Sequence, residues 1–315
     1  MWAEFSGRKF KGQSPARKIP MEMISKIDKR NIFFIGFTVL TIILFLGPLR
    51  MIFSRSFHDE LYSHMILIPA VSAYFLYQKR KKISLEMEWA VKPGILLTAA
   101  SILIYAGGLR QELSLSQHDL LAWKMGAVVL FWMGGFLSLY GFRAFRTALF
   151  PLLFLFFMVP IPEGILETVI AVLQAGSAEA TNAFFKMTGI PVLREGFTFH
   201  LSGITVEVAK QCSGIRSTVS LLITSIIAGH LFLHTGWKKL VLIIAIFPIT
   251  ILKNGLRIVT LTLLGNYVDV RILGSELHKS GGIPFFIVAL ALLAPVLWVL
   301  RKSEKNRVEG VEGRE

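Results

Sequence analysis

The sequence predicts an all-α polytopic membrane protein of about eight transmembrane helices, with a short extracytoplasmic β-hairpin and one interfacial amphipathic helix. Three observations carry that expectation. Apolar side chains make up 54% of the 315 residues and charged ones only 17%, against roughly 25% charged in ordinary soluble domains. Mean hydropathy is +0.61, and the apolar residues gather in runs long enough to cross a hydrocarbon core of ~30 Å. Lys and Arg, finally, collect in alternate connecting segments. A compact soluble enzyme of this length needs more polar surface than the chain owns, so that class is excluded.

In chain order, residues 1–31 form a basic tail with eight Lys/Arg and three acids. The apolar run Ile32 to Leu49 follows and ends in Gly47-Pro48-Leu49-Arg50 rather than in the small residues of a signal cleavage site, so it is read as a retained first span. Further runs are Leu61 to Tyr77, Gly94 to Leu109, Leu121 to Gly141, Ala148 to Val159, Ser213 to Leu233, Leu240 to Leu256 and Ile283 to Leu300. Ala148 to Val159 is short and contains Pro151, but dropping it would leave Arg301, Lys302 and Lys305 outside, against the Lys/Arg bias. Gly164 to Phe185 is interrupted by Glu167, Gln174, Glu179 and Asn182 and reads as an interfacial or half-buried amphipathic helix. Between Pro191 and Ala209 the period changes to two. Phe197, Phe199 and Leu201 alternate with Thr198 and His200; after Gly203, Ile204, Val206 and Val208 alternate with Thr205 and Glu207, the pattern of a hairpin. Residues 301–315 form a second charged tail, leaving 32–300 as a single transmembrane domain.

If all eight runs cross, the two tails and segments 78–92, 142–147 and 234–239 share one side. They hold 22 of the 34 Lys/Arg and nine of the 20 acids. Short-loop Lys/Arg bias sets orientation, which places both termini in the cytoplasm and the other loops outside. The net charge of +14 is then chiefly a topology signal. No zinc-finger spacing, RNP-like stretch or basic helix with interleaved aromatics points to nucleic acid as a partner. A single cysteine removes internal disulfides and Cys-only metal clusters, and no cofactor is implied.

The outer face carries the unusual residues. Cys212 stands in Lys210-Gln211-Cys212-Ser213-Gly214-Ile215-Arg216-Ser217, just ahead of the sixth span. Unpaired amides and the positive end of the macrodipole at a helix start favour an anion such as a thiolate. Lys210 and Arg216 add positive charge, Gly214 leaves room for a substrate backbone, and the amides after the thiol suit a developing oxyanion. Arg257, in Lys253-Asn254-Gly255-Leu256-Arg257, closes the seventh span between two apolar runs, where a guanidinium is costly unless paired or functional. His278 precedes Gly281-Gly282-Ile283-Pro284, where the eighth span opens. Taken singly these are ordinary: an inert thiol filler, a snorkelling anchor, a solvated imidazole. Together, three span ends bring a thiol, a guanidinium and an imidazole to one membrane face, the set that nucleophilic acyl transfer needs.

The stretch Val206 to Ser217, then Asn254-Gly255-Leu256-Arg257-Ile258, then His278 before an apolar span resembles the exosortase/archaeosortase family of polytopic membrane transpeptidases, over roughly Gly94 to Leu300. The resemblance implies Cys212 as nucleophile, Arg257 as stabilising cation and His278 as acid/base. Ser213, Gly214, Asn254, Glu207 and Arg216 are the candidate substrate or oxyanion contacts; no metal is expected. It further implies exported substrates with a C-terminal sorting signal: a short PEP-like motif, a transmembrane helix and a basic cytoplasmic tail. Cleavage would leave a thioester on Cys212, passed to an amine-bearing lipid or polysaccharide-linked acceptor or to water, at the outer face of a prokaryotic inner membrane. The family often carries an acidic residue directly before Cys-Ser-Gly; this chain has Lys210-Gln211. Basic cytoplasmic loops repel a basic tail, so docking should rest on helix packing among membrane lipids and on contacts near the hairpin. Two other readings tolerate loss of the thiol: a permease with Arg257 lining a path, and a non-catalytic envelope-polysaccharide assembly factor.

Overall fold

The computed structural model describes residues 21–59, 61–112, 114–269, 271 and 282–312. Among these the chain forms helices α1 Met21–Leu44, α2 Leu46–His58, α3 Leu67–Leu85, α4 Val91–Arg110, α5 Gln117–Thr147 and α6 Leu149–Phe154. Then come α7 Glu163–Thr188, strands β1 Leu193–Glu195, β2 Thr198–His200 and β3 Thr205–Glu207, and helices α8 Ile215–Phe232, α9 Gly236–Ile244, α10 Ile246–Tyr267 and α11 Gly282–Glu312. Two compact units divide it, one built from residues up to Arg55 and from Met65–Pro160, the other from Ser56–His64 and from Ile161 onward.

Five helices are long and apolar enough to cross a membrane, and the count reaches seven if each of two bent pairs is one span. The all-α polytopic class therefore holds with fewer clear spans than the eight the sequence predicts. Leu61 to Tyr77 is not among those counted: it forms a 3-10 turn, Ser63–Ile66, and then α3, whose last turns carry Lys79, Arg80, Lys81 and Lys82. Ala148 to Val159 is α6 plus a 3-10 turn, Leu155–Met158, and qualifies only as part of a bent pair. Pro160 and Pro162 stop it short. The first span is broken too, bent by 78° between Leu44 and Leu46.

In the first unit α1 lays Phe34 against Trp132, Phe136 and Tyr140, with ring centroids 5.0, 5.6 and 5.2 Å apart. Helices α4 and α5 meet through small residues: a Cβ on Gly94 would overlap Ser138, and one on Gly134 would overlap Thr98. Helix α5 starts on Ser116, whose hydroxyl accepts from the Asp119 amide at 3.1 Å. It kinks at Gly141, where φ is +85°. The carbonyls freed there are taken up by the α3–α4 connection: Glu88 N–H donates to Tyr140 O at 3.1 Å and Ala90 N–H to Ser138 O at 3.3 Å.

In the second unit α7 lies along α10. Gly176 faces Ile251, and a Cβ on Gly255 would stand 2.7 Å from Ala180 Cβ, so only small residues admit this approach. One face of α7, including Leu173, Ser177, Ala178 and Phe185, is buried, while Glu163, Glu167 and Glu179 are exposed. That is the half-buried amphipathic character expected of it. The hairpin is present as β2–β3, and β1 extends it to a three-stranded antiparallel sheet. Sequence periodicity missed β1 because it is only three residues long and runs straight into the turn at Gly196 and Phe197; Arg194 fastens it, donating to Glu179 at 2.7 Å, which pushes the guanidinium pKa up. Phe199 and Val208 carry the sheet onto Ala178 and Phe185 of α7 and Ile258 and Val259 of α10. At the opposite end of the chain, Glu304 of α11 accepts from the His234 and Thr235 amides at 3.0 and 2.8 Å and caps α9.

Candidate active site

The sheet delivers the chain to a tight 3-10 turn, Lys210–Cys212, in which Cys212 N–H donates to Ala209 O at 2.8 Å. The approach is held from α7, where buried Gln174 donates to Val208 O at 2.7 Å. Gly214 then takes φ +83° and starts α8, a left-handed conformation that favours glycine over any residue with a Cβ. The turn therefore presents Cys212 three residues ahead of Ile215, the first residue of a helix whose first amides have no carbonyl of their own helix to bond. The thiol is partly exposed.

Asn254 ties this turn to the helix pair. Fully buried on α10, its amide donates to Cys212 O at 2.6 Å and to Ser177 Oγ of α7 at 3.0 Å. Arg257 lies one turn further along α10, half-buried, and its guanidinium is close enough to interact electrostatically with Cys212 and with Arg216. The structure thus brings Cys212, Ser213, Gly214, Asn254, Arg216 and Arg257 into one neighbourhood. Ser213 is buried, and its hydroxyl finds no partner among the described residues. Glu207 is exposed at the end of β3 and enters none of these bonds. His278 lies outside the described residues.

Two expectations change. Arg257 does not close a span, since α10 runs on to Tyr267 and the two apolar runs flanking the charges are one helix. With α9 the stretch Gly236–Tyr267 is 32 residues, roughly 48 Å at 1.5 Å per residue, so Arg257 sits well before the helix end. Lys210, expected to add charge beside the thiol, is instead ion-paired with Glu167 of α7 at 2.5 Å.

One residue went unmarked in the sequence. Lys253 is 3% exposed and its ammonium donates to Ser217 Oγ at 2.6 Å; that hydroxyl donates onward to Gly214 O at 2.9 Å. Two like charges, Lys253 and Arg257, at i and i+4 inside an apolar helix were the available signal.

A family model for transmembrane exosortases (Exosortase_EpsH) matches residues 54–295. The chain belongs to that family. The match covers more than half of the 315 residues and begins earlier than the resemblance seen in the sequence, taking in α3. Comparisons with curated proteins and with solved structures return no match. As a transmembrane exosortase it is a membrane protein of the transpeptidase and protein-sorting class.

Proposed function

We propose that this exosortase is a cysteine-dependent transpeptidase that cleaves C-terminal sorting signals of exported proteins at the outer face of a prokaryotic inner membrane, with both termini cytoplasmic. One observation supports the reading most directly: the turn bearing the sole thiol is fastened through Asn254 to the helix bearing Arg257. In the inferred reaction the Cys212 thiolate adds to the scissile carbonyl carbon. Amides at the start of α8 and the Arg257 guanidinium receive the oxyanion. The C–N bond breaks as protonated His278 gives its proton to the departing amine, leaving the upstream protein as a thioester. An amine of a lipid or polysaccharide-linked acceptor, or water, then attacks; its proton passes to His278, the C–S bond breaks and the thiolate returns. Asn254 and Gly214 hold the turn, Ser213 and Arg216 flank the thiol, and Glu207 stands where the chain enters it. The substrate is a protein ending in a PEP-like motif, a transmembrane helix and a basic tail, docked by helix packing among membrane lipids.

The decisive experiment follows processing of a signal-bearing protein in cells carrying Cys212→Ala or Cys212→Ser, alongside labelling of the wild type with a membrane-impermeant maleimide. Loss of processing in both variants and labelling of intact cells are the expected results. Unchanged processing removes the thiol from the chemistry and returns the permease or assembly-factor reading; labelling only after lysis moves the site to the other face.

A further inference from the structure

We propose that the charged end of α3, in the first unit, binds an anionic phospholipid of the surrounding bilayer. Two cavities flank the last turns of this helix. One, of about 430 Å³, has an apolar wall that includes Phe34, Leu76, Met87 and Phe136, and is also lined by Arg80 and Lys81; none of its lining residues is acidic. The other, of about 540 Å³, is lined by Lys79, Lys82, Arg143 and Arg146 with Glu86 and Thr147. Glu86, its one carboxylate, already accepts from the Thr147 hydroxyl at 2.5 Å. Lys79 reaches across to Thr147 O at 3.1 Å, joining α3 to the end of α5. Six cations thus face two concavities that contain a single, engaged carboxylate.

Isolated lysines and arginines at a bilayer boundary need no ligand, because their heads reach water. Here the cations line concave volumes, and one of those volumes continues into an apolar wall. An anion with an apolar tail satisfies both: the phosphodiester lies against the guanidinium and ammonium groups while an acyl chain covers Leu76 and the rings. Basic pockets between helices on the cytoplasmic side suit acidic headgroups, and Lys/Arg bias places this end there. A basic peptide tail is repelled by the same charges. The inference uses neither Cys212 nor the transfer reaction.

The test uses the full chain in detergent micelles, titrated with phosphatidylglycerol or with phosphatidylcholine of the same acyl chains, reading the unfolding midpoint and the lipid retained in native mass spectra. Phosphatidylglycerol is expected to be retained and to raise the midpoint, and phosphatidylcholine not. Replacing Arg80 and Lys81 together by Gln should raise the half-saturating phosphatidylglycerol concentration about thirtyfold. Leu76→Trp, which fills the apolar wall without changing charge, should weaken retention as well. If either variant fails to unfold cooperatively in phosphatidylcholine, Arg143→Gln with Arg146→Gln replaces it with the same expectation. Equal response to the two lipids, undiminished retention in the variants, or protection by glycerol phosphate as strong as by phosphatidylglycerol would each overturn the proposal.

Discussion

In each compact unit a helix pair meets through glycines and their neighbours four residues apart: Gly94 and Thr98 against Ser138 and Gly134 in the first, Gly176 and Ala180 against Ile251 and Gly255 in the second. Around that shared device the units are filled differently. The first surrounds its seam with rings, Phe34, Trp132, Phe136 and Tyr140 among them. The second carries Gln174, Ser177, Thr181, Ser213, Lys253 and Asn254 inside. Among the described residues, the buried side-chain atoms lacking a hydrogen-bond partner, including Ser213 Oγ, Thr250 Oγ1, Asn254 Oδ1 and Thr262 Oγ1, all fall in the second unit. The first unit buries Thr41, Ser72 and Ser101 too, but each donates to a backbone carbonyl; buried polar atoms without a bond are costly, so the unit that keeps them is where chemistry rather than scaffolding is to be sought.

Phe136→Ala tests the scaffold half most severely. It should destabilise the protein by about 3–5 kcal/mol, read as a lowered midpoint in denaturant titration, while transfer per folded molecule stays close to wild type. A large loss of specific activity would break the division between the units. Arg257→Gln should do the reverse, lowering transfer by roughly 10²–10³-fold with little change in midpoint; a variant that unfolds but still transfers would make this arginine structural. Asn254→Ala belongs to both categories. Removing its two bonds should cost about 2 kcal/mol and also slow transfer, because the Cys212 turn loses its tether; intact kinetics would show that the turn holds itself. Thr262→Val is the smallest change, expected to leave stability unaltered or raise it by up to about 1 kcal/mol because it deletes a hydroxyl without a partner among the described residues. A clear destabilisation would reveal a bond.

Hydropathy made most spans legible, because a bilayer demands long apolar helices whatever their neighbours. Their ends were harder to read. The helix α10 was cut at Arg257 because charges usually mark a boundary, whereas here they lie inside a continuous helix that also buries Lys253 and Asn254. The kink at Gly141 falls where the fourth apolar run ends, but the continuation of α5 beyond it was not legible, since the carbonyls freed there are bonded by Glu88 and Ala90 amides from another connection. The Cys-Ser-Gly turn was readable from local chemistry, a glycine between a thiol and a helix start. Lys253 was passed over because its partner Ser217 sits 36 residues away.

The adjacency of Gly255 and Asn254 on α10 gives the molecule a single adjustment screw. Shaving the gap between two helices and aiming the amide that grips the Cys212 carbonyl are one mechanical setting, because both depend on how closely the α10 backbone approaches α7. Thickening that seam by a methyl group should therefore retune the reacting turn from a position that touches neither thiol nor guanidinium, and a search for slower or looser variants can begin at Gly176, Ala180 and Gly255 before any reactive group is altered.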